Sequence, residues 1–213
     1  MLSRIKSNWV NELSNGKYNY QVYISFVLVA FSLFLFTRFL NFVEDRPGVI
    51  LPDPILQMFS PIDISWFTFA VMYSSVIIAI LSLIPSPKLL ILGLQSYTVM
   101  LIIRTVAMYS IPLEAPATIL RLIDPMVSEV GVGKLMTKDL FFSGHTATIF
   151  IMFLVSSNKL YKNLFLIATI FIGFAVLVQH VHYTVDVIAA PFFAYSSYKI
   201  VIYINKKFNS LFK

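Results

Sequence analysis

Two short blocks hold the residues of this chain that can do chemistry. One is Phe141-Phe142-Ser143-Gly144-His145-Thr146; the other is His182-Tyr183-Thr184-Val185-Asp186. Between them they carry two of the three histidines. His182 and Asp186 stand four apart, which predicts that one helical face carries both. The carboxylate can accept from one ring nitrogen and leave the other facing a substrate. It also makes the ring a better nucleophile and steadies any cation formed there. An ionisable pair about one turn into a membrane helix is costly, so function is the stronger reading and a structural interfacial pair the alternative. His145 opens the next candidate helix after Ser143-Gly144. The glycine permits close approach of backbone to a ligand. Free amides at a helix start favour an anion, and Ser143 or Thr146 can add a hydroxyl donor. His145 is placed to protonate a departing oxygen.

Four other residues join the candidate site. Arg104 is the one charge inside an apolar run, toward its end. Its guanidinium can clamp two phosphoryl oxygens; the alternative is snorkelling to the headgroups. Asp139 lies four positions before Ser143 and can anchor the loop or help receive a hydroxyl. His180 is two positions from His182 and cannot share its face, so it reads as an interfacial or supporting residue. Gly144 belongs with Ser143 and Thr146 in a phosphate cradle. Arg121, Asp124 and Lys138 read as loop charges. Three histidines and several carboxylates raise the question of zinc. No compelling H-E-x-x-H, or H-x-H with a distant ligand, is present, so no metal is expected.

These residues must be positioned by a membrane bundle. Charged residues make up 12% of the chain, about half the ~25% usual for soluble proteins. Apolar residues make up 58%, including 20 Phe, more than a core of this size can hide from water. Apolar runs at residues 18–37, 64–87, 89–113, 140–158, 163–179 and 183–204 each approach the ~17–25 residues of one crossing. The expected fold is therefore an all-α integral membrane protein, a bundle of six transmembrane helices; the runs lack the period-two polarity of a barrel. The first run reads as a retained span and not a signal peptide, because no small-x-small cleavage site follows it. The expected organisation is a segment at 1–17, a six-span catalytic domain at 18–205 and a basic tail at 206–213.

Six crossings put both termini on one side. That side would hold Arg4, Lys6, Lys17, Lys88, Lys159, Lys162, Lys199, Lys206, Lys207 and Lys213, with Glu12 its only acid. The other side would hold six basic residues and nine acids. The excess predicts cytosolic termini and an active site on the periplasmic, lumenal or extracellular face. His145 and His182 then fall on the same face. The absence of cysteine excludes disulfides and a thiol nucleophile. No basic run or aromatic nucleic-acid module is present, so no nucleic-acid partner is expected, and no glycine-rich loop marks a nucleotide. The expected partners are membrane lipids as substrates, with no cofactor; the sequence sets no oligomeric state.

Two histidines, an arginine and helix-start amides without nucleotide machinery point to phosphoryl chemistry. With these motifs the chain resembles the type 2 phosphatidic acid phosphatase (PAP2) superfamily, and within it the sphingomyelin synthase-like branch. The resemblance runs from about Phe42 to Pro191. It includes Asp45-Arg46-Pro47 and Leu51-Pro52-Asp53, Arg104 with Ile111-Pro112, Phe142-Ser143-Gly144-His145-Thr146, and His182-Tyr183-Thr184-Val185-Asp186. It implies a PAP2-like six-helix bundle. It further implies that His182 attacks phosphorus to give a phosphohistidine, that Asp186 orients it, and that His145 protonates the leaving alcohol and later deprotonates the acceptor. Synthase relatives move a phosphorylated headgroup from a glycerophospholipid to ceramide and release diacylglycerol; phosphatase relatives use water.

The chain also departs from the pattern. The phosphatase family's Lys, seven residues ahead of Arg46-Pro47, is Phe39 here. The Ser-Arg pair seven and six residues ahead of His182 is Ala175-Val176, and Arg104 is left to supply the positive charge. The Cys-Gly of synthase relatives is Thr137-Lys138. The leading expectation is a lipid phosphotransferase of the sphingomyelin synthase type. The alternatives are a phosphatase of phosphatidate or an isoprenoid pyrophosphate, and a non-catalytic membrane protein or transporter.

Overall fold

Among the described residues, five helices are long and apolar enough to cross a membrane and a further apolar helix is shorter, where six spans are expected from the sequence. The computed structural model describes residues 2–14, 16–120 and 136–211. Arg121, Asp124, Met1 and Lys213 lie outside that set. The helices are α1 (Leu2–Leu13), α2 (Gly16–Asp45), α3 (Ser65–Leu83), α4 (Pro87–Ser110), α5 (Gly144–Val155), α6 (Lys159–Val178) and α7 (Thr184–Leu211), with a 3₁₀ turn at Leu56–Met58. The chain is an all-α, integral, multi-pass membrane protein. Side chains such as Phe31, Phe34, Phe174 and Phe192 point outward, as lipid-facing residues should.

The correction falls on the fourth predicted span, residues 140–158. Only 12 residues of it are helical, about 18 Å of rise against a hydrocarbon thickness of ~30 Å. The backbone before the helix is irregular, tolerated because protein surrounds it: Leu140, Phe142 and Ser143 are buried. α5 runs antiparallel to α4. At one end a methyl group on Gly144 would collide with Arg104, and at the other a methyl on Gly93 would lie 3.7 Å from Val155. Ala147 and Ile149 of α5 and Ala190 and Ala194 of α7 are fully buried. Gly173 of α6 leaves room for Val187, whose Cγ1 would be 2.9 Å from a Cβ there. Small residues let these four helices approach closely where hydrophobic driving force is weak. α2 also departs from its expected bounds: it continues past residue 37 through Leu40 and Val43 to Asp45.

The two ends of the bundle differ. At one end α1 docks on the turn between α3 and α4: Asn8 donates to Pro85 O at 2.8 Å, the Trp9 indole donates to Ile84 O at 2.9 Å, and Lys88 pairs with Glu12 at 2.8 Å. The last turns of α7 approach the same half, where Asn205 donates to Gln95 at 2.8 Å. At the opposite end the connections are woven together. Val49 and Leu113 form a bridge. The Glu44 carboxylate accepts from Thr137 N, Thr137 Oγ1 and Lys138 N at 2.9, 2.7 and 3.0 Å. Lys138 in turn donates to Arg46 O and Glu114 Oε1 at 2.9 and 2.7 Å, so it clasps two connections where the sequence reads as a simple loop charge. Both histidine blocks lie at this woven end.

Candidate active site

Ser143 joins the two blocks. Its side chain caps α5, accepting from Thr146 N at 3.4 Å and from Thr146 Oγ1 at 3.0 Å. Its own backbone N–H donates to Asp186 O at 3.1 Å, which ties the start of α5 to the first turn of α7. Ser143 and Thr146 are buried. The sequence reading offers them as hydroxyls for a ligand; in the fold they satisfy each other and the helix start.

His182 lies two residues before α7 begins at Thr184, so its pair with Asp186 bridges a helix start, not a helical face as the spacing predicts. The distance from Nδ1 to Asp186 Oδ2 is 3.2 Å. The same oxygen accepts from Tyr183 N at 3.2 Å. Asp186 is fully buried and His182 is 2% exposed. With Nδ1–H held by the carboxylate, Nε2 carries the lone pair. The carboxylate also sits in the first turn of α7, where the helix dipole stabilises negative charge.

His145 is placed differently. It is half-buried, with its ring edge-on to Phe69 at 6.5 Å between centroids. It lines a cavity of about 170 Å³ together with Arg104, Asp139, Gly144, Thr148 and Tyr97, with Phe36, Met72, Met100 and Leu101 completing the wall. His182 and Asp186 are not among these lining residues; they connect to the cavity through Ser143.

Arg104 is buried and engaged. Its Nε donates to Phe142 O at 2.9 Å, Nη2 donates to Asp139 O at 3.2 Å, and Nη2 pairs with Asp139 Oδ1 at 2.9 Å. Phe36 lies under the guanidinium, 5.4 Å from ring centroid to Cζ. The expected snorkelling alternative does not describe it, because the side chain is only 4% exposed. Asp139 therefore anchors the loop through Arg104. Gly144 is needed for this approach: a Cβ there would lie 2.6 Å from Arg104 Nη1. The close neighbour that its missing side chain admits is a protein guanidinium.

Supporting residues emerge that local spacing does not reveal. Asp53 reaches across from the loop after α2 to cap α7, accepting from Thr184 N at 2.6 Å and Thr184 Oγ1 at 3.1 Å. It also accepts from Ile55 N and Leu56 N. Burial pushes its carboxyl up, but these donors prevail and leave it below the usual aspartate value. Gln179 is fully buried and donates to Thr68 at 3.1 Å while accepting from Ser65 at 2.8 Å, fixing α3 to the end of α6. His180 is buried beside Thr118, and burial pushes its ring below the ordinary histidine value. Asp53 could be noticed in the sequence only through the Leu51-Pro52-Asp53 resemblance; Gln179 and Thr118 carried no signal at all.

Residues 137–204 match the family model described as PAP2 superfamily C-terminal. That stretch contains Asp139, Ser143, Gly144, His145, Thr146, His180, His182 and Asp186, and leaves out Arg104. No curated protein sequence matches the chain.

Proposed function

We propose, taking membership of the PAP2 superfamily over residues 137–204 as the premise, that the protein is a membrane lipid phosphotransferase of the sphingomyelin synthase-like branch. His182 Nε2 attacks the phosphorus of a glycerophospholipid headgroup, forming the N–P bond of a phosphohistidine as the bond to the diacylglycerol oxygen breaks. Asp186 holds the ring tautomer and stabilises the positive charge that develops. His145 delivers a proton to the departing diacylglycerol oxygen. In the second half-reaction it takes the proton of the acceptor hydroxyl, that of ceramide or a related lipid alcohol, as that oxygen displaces His182. Arg104 and the amides at the start of α5 supply the positive field for the phosphoryl oxygens.

The observation that carries this reading is the 3.1 Å bond from Ser143 N to Asp186 O, because it brings the two histidine blocks together at two adjoining helix starts. A second observation favours a phosphodiester over a phosphomonoester dianion. Arg104 is ion-paired with Asp139 and His182 with Asp186, so the field that Arg104 offers is weaker than that of a free guanidinium and suits a single negative charge better than two. The active site faces the periplasm, lumen or exterior, with the termini in the cytosol. The catalytic domain is residues 18–205, flanked by the segment 1–17 and the tail 206–213.

The test is lipid mass spectrometry of the purified protein in vesicles holding labelled phosphatidylcholine, phosphatidylethanolamine and phosphatidate, with and without ceramide. Ceramide-dependent release of diacylglycerol with a new headgroup lipid is expected. Release of free phosphate from phosphatidate without ceramide would make the protein a phosphatase. No product from any lipid would defeat the enzyme reading.

A further inference from the structure

α6 ends in a turn that ordinarily belongs to glycine. Val181 N donates to Val176 O at 2.9 Å and His180 N donates to Leu177 O at 2.9 Å. These are the two bonds of a Schellman cap, in which the residue after the C-cap, here after Gln179, must adopt the left-handed conformation. Here that residue is His180, with φ of 53°. A side chain with a Cβ is disfavoured in this region, and glycine would occupy it without penalty. His180 carries a second cost. Its ring is 1% exposed, and Nε2 is buried without a hydrogen-bond partner among the described residues.

The ring makes two contacts that glycine could not. Nδ1 shares a hydrogen bond with the Thr118 hydroxyl, and the ring stands edge-on to Phe59 with centroids 5.0 Å apart. A backbone bond reinforces the first contact: Leu120 N donates to Gln179 O at 3.0 Å. The turn is thus bolted to the connection after α4 and braced by the loop after α2. His182 hangs from the same turn, for its own N–H reaches back to Val176 O at 3.4 Å. Beyond it, Asp186 holds the ring and Asp53 caps α7. His182 is therefore held from both sides in the chain, by Asp186 ahead and by the cap at His180 behind.

We propose that His180 is a positioning residue for His182: its ring pins the turn that carries the nucleophile to Thr118 and Phe59. This rests on the role given to His182 above, and His180 itself touches no reacting atom. The αL backbone permits glycine or asparagine at this position, so the substitutions that remove the ring keep the cap.

The test uses the full-length protein in nanodiscs with ¹³C-labelled histidine. The chain has only three histidines, so each ring signal is assigned by its loss in the matching alanine variant. His180→Gly and Thr118→Val are each expected to move the His182 ring signals. Turnover of labelled phosphatidylethanolamine with ceramide should fall about tenfold to a hundredfold in kcat, the scale of a small misplacement of a reacting group. KM should stay near the wild-type value, and the double variant should be no slower than the worse single variant. His180→Asn, which suits the αL backbone and can still bond Thr118, should recover part of the loss. His182 signals that superimpose on wild type in either variant would overturn the proposal, as would unchanged kcat or additive losses in the double variant. If the wild-type protein turns over no lipid at all, the functional reading fails. The ring signals then still decide whether His180 positions His182.

Discussion

The two helix starts at Ser143-Gly144-His145 and His182-Tyr183-Thr184 use similar residues in opposite ways. His145 lies inside its helix, half-buried on the wall of the 170 Å³ cavity. His182 lies outside its helix, 2% exposed, its Nδ1 committed to Asp186. One ring faces a space where a leaving group or acceptor can arrive; the other is held rigidly in a single tautomer. That division suits an acid–base group, which must meet two different oxygens in turn, and a nucleophile, which must meet one phosphorus in one orientation. Ser143 and Thr146 show the cost of joining such sites: they are spent on capping and on the link to Asp186.

Removing each ring has the largest expected effect. His182→Ala should lower turnover by at least about 10⁴-fold and abolish any acid-labile phosphoenzyme, the scale seen when a triad member is disabled. His145→Ala should slow both formation and breakdown of that intermediate by about 10²–10⁴-fold without abolishing it. Quenched-flow trapping with a labelled headgroup donor separates the two. A His182→Ala protein that still forms phosphoenzyme at the normal rate would exchange the roles.

Asp186→Asn tests the fixed tautomer. The residue keeps its size and can still accept from Tyr183 N, so the fold should survive. An amide cannot hold the ring as a carboxylate does, and kcat should fall by up to about 10⁴-fold. A loss confined to KM, with kcat unchanged, would count against an orienting role.

Gly144→Ala sharpens the contrast at the other helix start. The added methyl would stand 2.6 Å from Arg104 Nη1, so the guanidinium must leave Asp139 or the loop must shift. A loss of about 10²-fold is expected, with thermal stability lowered by about 1–3 kcal/mol for overpacking. Arg104→Lys should lose a similar amount, because a point charge cannot reach Phe142 O and Asp139 together as the fork does. Wild-type kinetics in both variants would show that this ion pair has no part in catalysis.

The smallest effect concerns the cap that Asp53 places on α7. Asp53→Asn should cost about 1 kcal/mol of stability at neutral pH, because one of the two oxygens that accept from Thr184 N and from Ile55 and Leu56 N becomes a donor. The carboxyl is held below its ordinary value of 3.8 in the folded protein. Its contribution is therefore full above that value and fades as the pH falls below it. His180 acts earlier. Its folded ring is held below the ordinary 6.5, so the unfolded chain takes up a proton first. Stability at the woven end should decline as the pH falls below 6.5 and before Asp53 is protonated. Thermal unfolding of wild type, Asp53→Asn and His180→Gly between pH 7 and acid resolves the two steps. An identical acid profile for all three would remove both assignments.

Much of the fold was legible because the bilayer imposes a length rule on apolar runs. The runs at residues 64–87, 89–113, 163–179 and 183–204 correspond to α3, α4, α6 and α7, with ends displaced by a few residues. The rule misled at residues 140–158, where composition is equally apolar but neighbours replace lipid. A helix wrapped by protein need not reach 30 Å, and hydropathy cannot distinguish the two environments. His145, His182, Asp186, Arg104 and Asp139 were legible as chemically unusual residues in a greasy chain. Their partners were not, because Arg104 meets Asp139 across 35 positions and Asp53 meets Thr184 across 131.

The membrane class, the approximate positions of the long apolar helices and the few ionisable residues set among them follow from the sequence alone. Apolar run length and the rarity of ionisable side chains are local properties, written residue by residue. Packing alone makes Ser143 and Thr146 cap α5, Gly144 leave room for Arg104, Asp53 close α7 and His180 stand in a glycine's place beside Thr118. Those outcomes depend on which elements meet in space. Spacing along the chain measures that only within a helical turn; beyond it, packing and the need to satisfy buried polar groups choose the partners.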